Sequence, residues 1–175
     1  MYAGHMGFAL AAHGIRKSVP LWLLVIASQL PDWTDAGFCL AGIRPSVPGI
    51  LSHSFPAVAL LALVTSAAYA ATHRDPAGMV LVAAVVASHA VGDYFTGLKP
   101  TWVGGPMIGL ELYKRPVLDF IVETAVITGG WLVYRRSLPA DRRSSPPAMT
   151  LLAVLILIQI GTDILLSVAT GMRKC

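Results

Sequence analysis

Two residue pairs in this chain stand four positions apart in stretches that read as helix: His89 with Asp93, and Asp119 with Glu123. At that spacing the side chains stack on one helix face about 6 Å apart, so both members of a pair can grip one cation. Neutral imidazole and carboxylate are ligands of first-row divalent metals, and zinc takes them at about 2.0 to 2.2 Å. His53 and Asp32 complete a shell of two histidines and two aspartates around one ion. His5 and Glu123 could hold a second ion, with Asp93 as the bridge. Two ions about 3.5 to 4 Å apart suit displacement at phosphorus, one generating hydroxide and both stabilising the entering and leaving oxygens.

These polar residues interrupt a very apolar chain. Of 175 residues, 55% are hydrophobic and 13% charged, and the mean hydropathy is +0.68. A charged group inside hydrocarbon costs roughly 2.5 to 3.5 kcal/mol on insertion scales, so several at one depth call for a shared polar partner. The composition predicts a single integral membrane domain over 1–175, with the site-bearing part at about 4–124. The net charge is +4, but the basic residues sit in short connectors and no basic helix face interleaved with aromatics occurs, so no nucleic-acid partner is expected. Two cysteines, Cys39 and Cys175, suggest neither a disulfide framework nor a thiolate zinc site.

The expected fold is all-α, a polytopic bundle of four long transmembrane helices preceded by a short N-terminal helical hairpin. The long segments are 54–72, 77–96, 116–134 and 148–170, each close to the roughly 20 residues needed to cross about 30 Å of hydrocarbon. The hairpin has apolar arms at 6–12 and 19–30, and its second arm is expected to end at Pro31, where a loop with three prolines runs to Gly49. With short turns reversing the direction, His53, His89, Asp93, Asp119 and Glu123 fall near one interface, joined there by His5, Asp32, Asp35 and Asp163. The connectors on the opposite side hold Arg16, Lys17, Arg74, Arg135, Arg136, Arg142 and Arg143, against Arg44, Lys99, Lys114, Arg115, Arg173 and Lys174 on the cluster side. The denser side is read as cytoplasmic, which turns the cluster toward the periplasm.

Each residue also has an ordinary structural reading. Asp119 follows Pro116 and suits the positive end of a helix dipole. Asp32 after Pro31 suits an N-cap or a turn. Asp163 is expected to pair with a neighbouring polar group. His13, eight positions after His5 and so about 12 Å along a helix, cannot share its ion and reads as an internal hydrogen-bond donor; His73, in a charged turn, reads as solvent-facing.

Taken in order, Gly4-His5, Gln29-Leu30-Pro31-Asp32, Ser52-His53-Ser54, Ser88-His89-Ala90-Val91-Gly92-Asp93, Gly109-Leu110-Glu111-Leu112-Tyr113 and Glu123 resemble a bacterial, inner-membrane-associated family of membrane-bound metal-dependent hydrolases. That family is in turn distantly similar to zinc-dependent phospholipase C and the fungal zinc nucleases. The resemblance implies an all-helical site with one to three zinc ions that hydrolyses phosphoesters. Asp119 stands where the soluble enzymes have histidine, and Asp35 follows Asp32 by three positions rather than two, which leaves the second metal and the role of Asp35 open.

The resulting expectation is a multi-pass protein of the bacterial inner membrane that uses metal-activated water to cleave a phosphoester or ester in a lipid-like substrate reaching the site from the bilayer. His5, Asp32, His53, His89, Asp93 and Glu123 are the candidate ligands. Asp35 or Asp119 is the candidate general base, Glu123 a candidate for orienting the water, and Tyr113 or Arg115 a contact for the leaving oxyanion. A metal-ion or proton transporter is the main rival, disfavoured because the helix halves away from the cluster are Ala, Val, Leu and Ile. A non-catalytic scaffold tied together by the polar cluster is the other.

Overall fold

In hydrocarbon every backbone amide must be satisfied inside the protein, which leaves helices as the economical form for so apolar a chain. The protein, seen in a computed structural model, is described for residues 2–168. Two N-terminal helices, α1 (Gly4–Ile15) and α2 (Leu21–Leu40), precede α3 (Phe55–Thr72), α4 (Pro76–Thr96), α5 (Pro116–Ser137) and α6 (Pro146–Val168). The last four are long and apolar enough to cross a membrane, and the whole is an all-α polytopic bundle. The part of the expected last segment beyond 168, and Cys175, lie outside the described residues.

Proline stands at the first or second position of α3, α4 and α5, where its missing donor would be unpaired anyway. Ser54 and Asp75 cap α3 and α4 by accepting from the amides of Ala57 and Gly78, at 3.4 and 3.0 Å. Between α4 and α5, the long connector pairs Lys99–Pro100 (β1) with Met107–Ile108 (β2) in a small antiparallel ladder.

Pro31 does not end the second helix as expected. α2 continues to Leu40, so Asp32 and Asp35 ride on a helix rather than in a loop. The proline cannot donate to the Ala27 carbonyl, yet the break is bridged on both sides. Ser28 and Thr34 hydroxyls donate to the Val25 and Leu30 carbonyls at 2.9 and 2.8 Å. Gln29 Nε2 donates to the Tyr2 carbonyl at 3.0 Å. Neighbouring helices and hydroxyls are the usual means by which a membrane helix tolerates proline.

α1 is a buried central helix, packed against α2, α4 and α5. Its approach to α5 depends on glycine: a Cβ on Gly7 would meet the Val126 carbonyl oxygen at 2.5 Å, and one on Gly14 would meet Val133 and Tyr134 backbone at 2.9 Å. Gly130 of α5 answers Gly7 across the contact. Such small-residue seams let helix backbones come close where lipid supplies no hydrophobic drive between them. Two apolar clusters fill the interior, one around Leu24, Val58, Ala62 and Val82 and one around Leu10, Ile127, Trp131 and Leu155. Outward faces keep exposed Leu60, Leu63, Ile121, Leu157 and Ile164, as contact with acyl chains requires.

The end of the bundle away from the polar cluster is closed by an ion pair and hydrogen bonds. Asp75 accepts from Arg16 Nε at 3.1 Å and from its Nη2 at 2.5 Å, and from Ser18 and Tyr69 hydroxyls at 3.2 Å each. His13 Nδ1 donates to the Val19 carbonyl at 2.9 Å, inside the α1–α2 turn, the internal role expected of it. His73 is exposed.

Candidate metal centre

At the opposite end, four elements converge. The start of α1 supplies His5, α2 supplies Asp32, the residue before the α3 cap supplies His53, and the last turns of α4 supply His89 and Asp93. His5, His53, His89 and Asp93 are all buried, Asp93 with 2% exposure.

The histidine tautomers follow from their neighbours. His89 Nδ1 lies 2.9 Å from the Ser28 carbonyl, which can only accept, so Nδ1 carries a proton and, in the neutral ring that a metal would need, Nε2 presents a lone pair. For His53 the chain is longer. Ser52 Oγ donates to Asp35 Oδ1 at 2.8 Å, so His53 Nδ1, 2.7 Å from the same Oγ, is the donor there. Its Nε2 is likewise left as an acceptor. Outer partners of this kind fix the ring and raise its basicity in histidine metal sites.

Both lone pairs then face carboxylates. His53 Nε2 is 3.1 Å from Asp32 Oδ1 and 3.4 Å from Asp93 Oδ2, and His89 Nε2 is 3.6 and 3.3 Å from the same two atoms. Four donors held about 2.0 to 2.1 Å from one ion in a tetrahedron stand about 3.3 to 3.4 Å from each other. The four imidazole–carboxylate separations, 3.1 to 3.6 Å, scatter about that value. His89 Nε2 makes no hydrogen bond despite being buried, a state that is costly without a partner cation. The ring of His5 stacks on His89 at 3.7 Å between centroids, neither of its nitrogens is hydrogen-bonded, and its Nε2 is 3.5 Å from Asp93 Oδ1. His5, Asp32 and His89, and equally His53, His89 and Asp93, can hold a metal ion.

The structure divides the residues that sequence spacing grouped together. Asp119 and Glu123 belong to a second group, whose third member is Asp163 of α6. Glu123 Oε2 accepts from the amides of Tyr2 and Gly4 at 3.2 and 3.0 Å, so it holds the start of α1 immediately before His5. Asp163 accepts from Gln159 Nε2 at 2.8 Å, the polar pairing expected of it. Asp35 lies behind His53, reaching it through Ser52.

Lys99 is a residue that sequence spacing did not single out. Its Nζ is 3.1 Å from Asp93 Oδ2, and it lines a narrow cleft with His53, Phe55, Asp93, Tyr94 and Ile108. Tyr113 approaches the same place, since an added Cβ at Gly97 would touch Lys99 Cε at 3.2 Å and the Tyr113 ring at 3.5 Å. Arg115 is exposed; its amide donates to the Leu112 carbonyl and its carbonyl accepts from the amides of Leu118 and Asp119. Ser28 was also unmarked in the sequence, and Ser52 stood there only within the Ser52-His53-Ser54 motif, without a role of its own; a serine that orients a histidine carries no periodic signal.

No curated protein and no solved structure matches the chain. A family pattern does match, over residues 2–168, and the chain belongs to the YdjM inner membrane protein family.

Proposed function

We propose that this protein is a membrane-bound metal-dependent hydrolase that cleaves a phosphoester or ester in a lipid-like substrate, with zinc held by Asp32, His53, His89 and Asp93. The observation that carries the reading is the meeting of the Nε2 atoms of His53 and His89 with two carboxylate oxygens at 3.1 to 3.6 Å. A bound zinc ion would polarise the scissile group and lower the pKa of water.

The remaining chemistry belongs to side chains. His5, stacked on His89 with both nitrogens unhydrogen-bonded, orients the attacking water and receives its proton. Ser52 and Asp35 hold the His53 ring; Asp35 is a positioning residue in this reading rather than the base. Lys99, at the cleft beside Asp93, meets the negative charge on the leaving oxygen, with Tyr113 next to it. Glu123 fixes the segment that carries His5, and Asp119 takes no part in proton transfer. The cleft is flanked by Phe55 and Tyr94, 47% and 42% exposed, which suits a substrate arriving sideways from lipid. By the distribution of Arg and Lys, the centre faces the periplasm.

A conduction path finds no support, since the bundle below the cluster is filled by Leu24, Val58, Ala62, Val82 and Ile127. The test is product release from phospholipid vesicles by the purified protein. The proposal expects hydrolysis that a chelator abolishes, that zinc restores, and that His89→Ala lacks. Full metal occupancy with no turnover of phospholipid or a generic phosphodiester would leave a scaffold.

A further inference from the structure

A basic end stands opposite the histidine centre. Lys17 follows α1, Arg135 and Arg136 lie in the last turn of α5, and Arg142 and Arg143 stand in the connector to α6, where the one carboxylate is Asp141. Among the described residues lysine and arginine form ion pairs as Arg16 with Asp75, Lys99 with Asp93 and Lys114 with Glu111, so none of these five does. Their donors go to uncharged acceptors instead. Lys17 Nζ donates to the Ser137 carbonyl, and Arg143 Nε and Nη2 donate to the Leu138 and Arg136 carbonyls at 3.1 Å each. Arg135 donates to the Arg143 carbonyl at 2.8 Å and to Ser144 Oγ at 3.2 Å. The end of a helix offers such groups only about half a negative charge, so most of the positive charge stays uncompensated.

Topology explains why arginines collect at one end, but not the space they border. A cavity of about 390 Å³ opens there between α5 and α6, lined by Tyr134, Leu138, Arg142, Ser145, Ala148 and Leu151. Its polar side lies at the connector, and its apolar side reaches about a turn and a half into α6. The wall is held in place, because Trp131 Nε1 donates to the Ala148 carbonyl at 2.8 Å and the Arg135 guanidinium sits 5.2 Å over the Trp131 ring. Guanidinium matches the geometry of phosphate oxygens, and basic pockets between membrane helices suit lipid headgroups. A free anion would use the connector side alone; a phospholipid uses both.

We propose that this cavity binds one anionic phospholipid, with Arg142 and Ser145 meeting its phosphodiester, Arg135 and Arg143 adding charge beside them, and the glycerol and upper acyl carbons lying against Leu138 and Leu151. The lipid ties the α5–α6 connector to the membrane surface. It sits at the end away from the histidines, so it is not the substrate of the hydrolase reading and does not depend on that reading.

The experiment is native mass spectrometry of the full chain in detergent, titrated with dioleoylphosphatidylglycerol, with dioleoylphosphatidylcholine and with phosphatidylglycerol in the presence of millimolar inorganic phosphate. The expected result is one phosphatidylglycerol bound at least tenfold more tightly than phosphatidylcholine and not displaced by phosphate. The Arg142 side chain makes no hydrogen bond among the described residues, so Arg142→Gln should keep wild-type helicity and elution profile while weakening this binding at least tenfold. Arg74→Gln, which takes the same charge from an exposed turn outside the cavity, should leave it unchanged. Equal retention of the two lipids, or equal losses in the two variants, would mean that the arginines serve topology alone and would overturn the site. Displacement by inorganic phosphate would overturn the lipid as its occupant.

Discussion

His53 and His89 reach the same electronic state by different routes, one through a hydroxyl that is itself held by Asp35, the other through a backbone carbonyl on α2. Only the first route can be cut by a side-chain change. In Ser52→Ala the His53 Nδ1–H loses its acceptor and the ring is free to turn or change tautomer. Outer-shell losses of this kind typically lower metal affinity about 10- to 100-fold, and competition against a chromophoric chelator should show a drop of that order; an unchanged affinity would mean that the relay does not hold the ligand. Lys99 makes the opposite prediction. Its Nζ contacts Asp93 from the cleft side, so Lys99→Met should keep its zinc and lose about a hundredfold in turnover, the usual cost of removing one charge-stabilising donor. Parallel metal and activity assays separate the two effects. The pair His89 and Asp93 was legible from spacing alone, while Lys99, Ser28 and Ser52 were not, because a contact made across elements leaves no periodic trace.

Among the elements, α1 is the one whose position everything else must respect. It brings His5 into the centre and touches α5 through glycines that admit no side chain. Gly7→Ala should cost about 1 to 3 kcal/mol, the range for overpacking a tight contact, and lower the melting temperature. Gly129→Ala, on the same helix as Gly130 but with nothing within 4 Å of the added carbon, should be neutral or slightly stabilising. Equal losses in both would rule out the seam. At the other end of α1, the Arg16 guanidinium beside Asp75, helped by the Gly78 amide, holds the Asp75 carboxyl well below its ordinary range. A group depressed in the folded state stabilises above its unfolded pKa of about 3.9 and loses that contribution as the pH falls through it. Melting temperature should therefore decline on acidification below about pH 5, less steeply in Asp75→Asn; parallel slopes would exclude this carboxylate. Pro31 shows where reading by element misleads. As an isolated signal proline ends a helix, but here hydroxyl bonds on both sides and the packing of Ser28 and Gln29 carry α2 on to Leu40.

For the molecule as a whole, the order of helices and the concentration of acid and imidazole at one end were readable from hydropathy and alternating direction, since lipid imposes both. The split of that end into two groups was not. Glu123 and His5 look like neighbours by depth and are neighbours in space, but Glu123 serves the amides before His5 and turns toward Asp119 and Asp163, a choice that depends on how α5 rotates about its axis. The central claim is that Asp32, His53, His89 and Asp93 form one cation shell. Elemental analysis joined to X-ray absorption at the zinc edge tests it most directly, on detergent-purified wild type beside His53→Ala and Asp93→Ala. The account predicts about one tightly held zinc per chain, a nitrogen and oxygen shell at about 2.0 to 2.1 Å, and loss of that metal in both variants. Metal-free wild-type protein, or equal zinc in all three, would contradict it.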